Sequence, residues 1–243
     1  MKRSPIYRKD ELVSARSLML PFLITAVNGG LSVLALANIS FIAISAQNSG
    51  EISYMNFLRV YYVAAVVELF LILLIAPALS ASAVAAERER RTLSLLFTTQ
   101  LRTKDIVIGK LMGAMSTLAL LIVTALPVLA TVFLYGGVTF REVILLLLVY
   151  GCSALYCAAV GITASTFFLT TAPAVAVSYV AIFVSYVLFF LLFYFRASIG
   201  GGLRLRVVVL GILGFMILAS IVMVYVSEWG LRPHRVRRKK MPE

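Results

Sequence analysis

VYYVAAVVELFLILLIAPALSASAVAAERERRTLSLLFTTQLRTKDIVIGK, residues 60–110, is the stretch on which the fold turns. Residues 60–86 carry one charged side chain, Glu68. Residues 87–110 then carry Glu87, Arg88, Glu89, Arg90, Arg91, Arg102, Lys104, Asp105 and Lys110, the only interior segment dense in charge. An α-helix of about 20 apolar residues, rising ~1.5 Å per residue, crosses ~30 Å of hydrocarbon. The first part therefore reads as a membrane span and the second as a connector outside the membrane. A turn between two spans needs only a few polar residues, so this connector has the character of something gripped from outside.

The same alternation extends in both directions. Of 243 residues, 62% are hydrophobic and 13% charged, whereas a soluble domain carries about twice that charge fraction. Residues 17–50, 111–140, 143–195 and 207–227 hold no charged side chain. The run 143–195 is long enough for two spans, and Thr170, Thr171 and Pro173 supply the break, a cap followed by a proline in a first helical turn. The expectation is an all-α polytopic membrane protein of six transmembrane helices at about 20–45, 60–84, 111–135, 142–168, 173–195 and 206–227. A secretory signal peptide is the competing reading of the N-terminus, but the first apolar run is too long and no cleavage-like boundary follows it.

Lys and Arg set the orientation. Five lie in the N-terminal tail (Lys2, Arg3, Arg8, Lys9, Arg16), six in the connector and six in the C-terminal tail (Arg232, Arg235, Arg237, Arg238, Lys239, Lys240). The opposite side holds Arg59, Arg141, Arg196, Arg204 and Arg206. Both termini and the 87–110 connector are thus expected in the cytoplasm, with the chain in a cell membrane of prokaryotic plasma-membrane type. The net charge of +12 sits at membrane flanks, where anionic headgroups attract it, and calls for no nucleic acid. Cys152 and Cys157 lie within one apolar span on different helix faces and read as small hydrophobes.

Ahead of span 1, residues 5–19 place Ile6, Leu12, Val13, Leu18 and Met19 on a common face, which suits an interfacial helix as well as a solvated tail. Span 1 carries Asn28-Gly29-Gly30 and Asn38. Close helix packing explains these best, and lining of a transport pathway is the sharper alternative. Glu68 in span 2 is the sole ionisable residue deep in any span, so it faces the bundle interior, pairs, or is protonated. Gly109 and Gly113 stand at small-xxx-small spacing, Pro127 follows in span 3, and Ala174, Ser178, Ala181 and Ser185 share one face of span 5. Each set reads as a packing surface.

Enzymatic chemistry finds no residues. Gly109-Lys110 is followed by Leu111 and lacks the upstream glycine of a phosphate-binding loop. His234 is the only histidine, so no His-containing metal set can be assembled. Neither a GxSxG elbow nor paired carboxylates appear.

Within the connector, residues 78–91 extend span 2, with Glu87 three before Arg90 and four before Arg91, pairings worth a few tenths of a kcal/mol each. Thr92 permits a break. Leu93, Leu96, Phe97 and Leu101 then form the stripe of a short amphipathic helix, and Thr98, Thr99 and Thr103 turn the chain before Lys104–Lys110 leads back to the membrane. Such a helix suits either a bilayer surface or a groove in a cytoplasmic partner.

The run Pro77-Ala78-Leu79, then Glu87-Arg88-Glu89-Arg90 with Thr92-Leu93 and Leu95-Leu96, then Thr98-Thr99 with Leu101, and finally Ile106-Val107 with Gly109-Lys110, resembles the signature of type-2 ATP-binding cassette (ABC) exporter permeases. Pro127, Gly136-Gly137-Val138, Gly161 with Ser165, and Pro5-Ile6 with Arg8, Lys9 and Glu11 extend the resemblance over about residues 5–180. Arg91 stands where the family usually has Gly, and Gln100 where Pro is common. The resemblance implies that Glu87–Leu101 is a coupling helix seated in a cleft of a separate ATPase subunit. Leu93, Leu96 and Phe97 would anchor it, Glu87, Glu89, Arg90 and Arg91 would fix its orientation through ion pairs, and Arg88, Thr92 and Leu101 complete the docking segment. It further implies two ATPase copies, a second permease as homodimer or heterodimer, and no cofactor on this chain, ATP and Mg belonging to the ATPase.

The expected organisation is a single transmembrane domain over 1–243: interfacial helix 1–19, spans 1–2 over 20–84, coupling segment 85–110, spans 3–6 over 111–227 and basic tail 228–243. Two rival functions use the same residues differently: a polytopic scaffold that recruits cytoplasmic factors without transport, and an ion-coupled carrier using Glu68. Apolar or small span residues are compatible with lipids, peptides, drugs or glycans as cargo.

Overall fold

The computed structural model of the chain describes residues 19–49, 54–89, 103–134, 138–198 and 205–231. Six α-helices fill them: α1 (Met19–Ser49), α2 (Tyr54–Glu89), α3 (Thr103–Leu134), α4 (Phe140–Phe167), α5 (Thr171–Ser198) and α6 (Leu205–Gly230). No strand occurs among the described residues. The N-terminal segment 1–18, the connector residues 90–102, Gly136-Gly137, the turn 199–204 and the basic tail from 232 lie outside them.

Five helices carry stretches long and apolar enough to cross a membrane: Tyr61–Glu89, Lys104–Pro127, Phe140–Phe167, Thr171–Leu192 and Val209–Gly230. That supports an all-α, multi-pass membrane protein. In α1 the described apolar stretch is the shorter Asn28–Phe41.

Helix ends follow local chemistry. Thr139 and Glu142 form a reciprocal cap at the start of α4: the Thr139 N–H donates to Glu142 Oε2 at 3.0 Å, and the Glu142 N–H donates to the Thr139 carbonyl at 2.9 Å. The carboxylate bond is the Glu half of a capping box, Thr followed three residues later by Glu, and the second bond is backbone to backbone and closes the first turn. The break between α4 and α5 falls at 168–170, with Pro173 in the first turn of α5 as expected. The start of α3 departs from expectation. It begins at Thr103 rather than near 111, because the polar run 104–110 is itself helical, with Asp105 in the first turn where a carboxylate complements the helix dipole. Hydropathy marks where the bilayer begins; capping marks where the helix begins.

Pro77 and Pro127 sit inside α2 and α3, which continue through them. A proline removes one backbone donor and crowds the carbonyls of the preceding turn. Beside Pro77, the Tyr179 hydroxyl of α5 donates to the Leu74 carbonyl at 2.5 Å.

The residues cluster into two compact units. One comprises 73–89, 103–116, 152–198 and 205–231; the other comprises 19–49, 54–72, 117–134 and 138–151.

In the second unit, Asn28 Nδ2 on α1 donates to Thr124 Oγ1 on α3 at 3.0 Å. Leu31 and Ala35 are buried. Gly29 and Gly30 are exposed, and a Cβ at either would meet nothing within 4 Å. The close packing expected at this glycine pair is therefore not found among the described residues; the neighbouring asparagine makes the inter-helix tie.

In the first unit, Ala174 and Ser178 are fully buried while Ala181 is exposed. The small-residue face of α5 thus packs only over its first half, where Ala174 meets Ala81 and Ala85 of α2. Cys157 is buried and Cys152 half-buried, both as free thiols.

Candidate functional site

The first unit contains the two roots of the connector, the last turn of α2 and the first turns of α3. Its backbone packing is tightest where α2 crosses α4. A Cβ added to Gly161 would overlap Ser80 Oγ and lie 3.0 Å from Ser80 Cβ and 3.1 Å from the Ala81 backbone nitrogen. One turn along, Ser165 Oγ accepts from two consecutive backbone N–H groups of α2, Val84 at 2.9 Å and Ala85 at 2.8 Å. A glycine and a serine four apart thus hold two helices at backbone distance. Val84, Val107, Ile162 and Leu231 close an apolar cluster that draws in α3, α4 and the residue after α6.

The next residues of α2 carry charge, and each reaches a different helix. Glu87 Oε1 pairs with Lys110 Nζ of α3 at 2.8 Å, their side chains 17% and 7% exposed. Arg88 donates from its guanidinium to the carbonyls of Thr166 at 3.0 Å and Phe168 at 2.9 Å. These lie at the C-terminus of α4, where orphan carbonyls and the negative dipole end favour a cation. Glu89 Oε2 accepts from the backbone N–H of Thr171 at 3.2 Å and from its hydroxyl at 3.0 Å. That caps the N-terminus of α5, where orphan donors favour an anion. Adjacent residues of opposite sign therefore cap opposite helix ends across the 168–170 turn.

Helical geometry makes this possible. Successive side chains are ~100° apart around the axis, so three in a row address three neighbours. Further out, Lys104 Nζ of α3 and Glu228 Oε2 of α6 stand 3.5 Å apart, with side chains 58% and 18% exposed.

Of the residues expected to dock a partner, Glu87, Arg88 and Glu89 are therefore engaged within the chain. Arg90, Arg91, Thr92, Leu93, Leu96, Phe97 and Leu101 lie outside the described residues, as does Gln100. The helical pairings expected of Glu87 with Arg90 and Arg91 fall on residues outside the described ones; within them Glu87 pairs with Lys110, which i+3 and i+4 spacing does not point to. Lys110, Ser165 and Thr171 have roles that periodicity alone did not reveal. Their signal was the departure from monotony, a lone lysine or hydroxyl at the end of an apolar run, opposite a charged turn.

The intramembrane polar residues belong to the second unit. Glu68 is 1% exposed, and neither carboxylate oxygen has a hydrogen-bond partner among the described residues. Beside it, the hydroxyl of the buried Tyr150 donates to the Ala65 carbonyl of the same α2 turn at 3.0 Å. Asn28 is committed to Thr124, and the Asn38 side chain lies outside the described residues. No group of three or more His, Cys, Asp or Glu arranged to hold a metal occurs among the described residues.

No protein-family model matches the chain, and no curated protein matches it.

Proposed function

We propose that this protein is the membrane-spanning permease subunit of an ABC transporter of exporter type, driven by a separate ATPase subunit. The observation that carries the reading is the fastening of the connector's root. Glu87, Arg88 and Glu89 tie the end of α2 to α3, α4 and α5 in turn. A push on residues 90–102 is then delivered to several helices at once, as alternating access driven from outside the membrane requires. In this proposal α1 is a sixth span. Both termini and the connector face the cytoplasm, Arg90–Leu101 seats in an ATPase cleft, and two permease copies act with two ATPase copies that hold ATP and Mg.

The proposal expects a neighbouring gene for a soluble P-loop protein, and the test is co-expression with that protein, followed by co-purification in detergent and ATPase assay. Association, abolished by Leu96→Asp with Phe97→Asp, together with a changed ATPase rate, supports the proposal. No association and no change in ATPase rate overturns it.

A second reading rests on Glu68. A fully buried carboxylate without a hydrogen-bond partner among the described residues is costly in a membrane and is a functional site by default. It would serve a proton-coupled carrier, whose transport follows a pH gradient without ATPase. Transport by the Glu68→Gln variant that is lost while ATPase stimulation persists places Glu68 in the pathway. Transport by the unaltered protein that ignores a pH gradient removes the carrier reading.

A further inference from the structure

Apart from the connector root, the first unit contains an apolar groove of about 280 Å³ between α3, α4 and α6. Its wall is Val107 and Leu111 of α3, Leu155 of α4 and Val224 of α6, and its rim carries Lys104 and Glu228. These two charges sit at the ends of the apolar stretches Lys104–Pro127 and Val209–Gly230, the level at which a bilayer changes from acyl chain to headgroup. Tyr225 on the rim and Trp229 beside it are 64% and 50% exposed, as interfacial aromatics are.

We propose that this groove binds one phospholipid of the phosphatidylethanolamine class. One acyl chain lies along Val107, Leu111 and Val224, Lys104 Nζ takes the phosphate, and Glu228 accepts from the headgroup ammonium. Charge complementarity selects this occupant. Lys104 and Glu228 are 3.5 Å apart and Lys104 is largely exposed, a weak pair that exchanges partners readily. A zwitterionic headgroup offers each of them an opposite charge. An anionic headgroup such as phosphatidylglycerol satisfies Lys104 but meets Glu228 as a repulsion. Phosphatidylcholine has no N–H to donate to Glu228. The proposal rests on the membrane character of the chain and not on an ATPase partner.

Trp229 is the chain's single tryptophan and adjoins Glu228 in sequence, so its fluorescence reports lipid at this end of α6, and selectivity among headgroups separates the groove from bulk lipid. The full chain is reconstituted in phosphatidylcholine vesicles containing a fixed fraction of phosphatidylethanolamine, phosphatidylcholine or phosphatidylglycerol brominated near the headgroup end of one acyl chain. Brominated phosphatidylethanolamine is expected to quench with an apparent affinity about two- to fivefold above the other two, the range of one exposed ion pair. Glu228→Gln should erase that preference and favour phosphatidylglycerol; Lys104→Gln should weaken quenching by all three classes. Comparing lipids within one variant cancels any direct effect of the substitution on Trp229. Equal quenching by the three classes overturns the proposal, as does a preference that survives both substitutions. Absence of quenching by any class overturns it too, and shows the groove to be covered by protein.

Discussion

Gly161→Ala is the sharpest perturbation the structure offers, because in most helices that change is favourable. Alanine gains about 0.5–1 kcal/mol over glycine inside a helix. At Gly211 and Gly214 of α6 a Cβ meets nothing within 4 Å, so alanine there should stabilise by that amount. At Gly161 the Cβ would overlap Ser80 Oγ and come within 3.1 Å of the Ala81 backbone nitrogen. Rotating Ser80 away breaks its 2.7 Å hydrogen bond to the Ala76 carbonyl, worth about 1 kcal/mol, and still leaves the backbone contact. The helices must then separate, an overpacking cost of about 1–3 kcal/mol, and separation lengthens the Ser165 bonds to Val84 and Ala85 as well.

Net of helix propensity, Gly161→Ala should destabilise by about 1–3 kcal/mol. The assay is reversible unfolding in mixed micelles by increasing denaturing detergent, with Gly211→Ala and Gly214→Ala as controls. Adding Ser80→Gly to Gly161→Ala removes both side-chain contacts and should recover part of the loss, less the cost of the new glycine. If Gly161→Ala matches the α6 controls, the close crossing of α2 and α4 does not exist. If Ser80→Gly makes the loss simply additive, the contact is elsewhere.

Lys110→Met should destabilise by breaking the largely buried pair with Glu87, by up to about 3–5 kcal/mol, the cost of breaking a buried ion pair, and the double variant with Glu87→Leu should recover most of it, measured by the same unfolding titration. Ser165→Ala removes the oxygen that accepts from two backbone N–H groups within α2 and should cost about 1 kcal/mol, with faster amide exchange at Val84 and Ala85 as the readout. Glu89→Ala removes the α5 cap and should cost about 1 kcal/mol, the loss shrinking at high salt. Glu68→Met removes a buried carboxylate that has no hydrogen-bond partner among the described residues and should raise stability by about 1–3 kcal/mol; a fall in unfolding midpoint contradicts its being unpaired.

The helices were legible because charge-free runs of the right length permit little else in a bilayer, and the 170–173 break because a threonine cap with proline in the next turn has one local meaning. Which small residues matter was not legible. Gly29-Gly30 has the composition of a helix crossing and meets nothing within 4 Å among the described residues, whereas Gly161, marked only by its four-residue spacing from Ser165 and its place in the family resemblance, makes the closest approach among the described glycines. Spacing fixes which residues share a face, but not which neighbour that face meets. The same limit applied to Glu87. A partner of it, Lys110, lies across the connector in sequence, where i+3 or i+4 bookkeeping does not reach.

The internal engagement of Glu87, Arg88 and Glu89 also bears on what the connector does. A helix that merely rests on a bilayer surface needs only its apolar stripe, Leu93 to Leu101, and leaves the preceding charges solvated. Here those charges are drawn inward, one to the side chain that begins the return through α3, one to the end of α4 and one to the start of α5. Each tie alone is modest, but they act on the same helical turn at ~100° intervals, so α2 cannot rotate or tilt there without disturbing all three. In the proposed permease, residues on the connector itself would meet the ATPase, while those at its root would convert that contact into movement of the helices. Separating the two roles is the way to tell a lever from a turn. Changes at Leu96 and Phe97 should abolish partner association with stability intact, and changes at Glu87 or Lys110 should preserve association while uncoupling ATPase stimulation from transport.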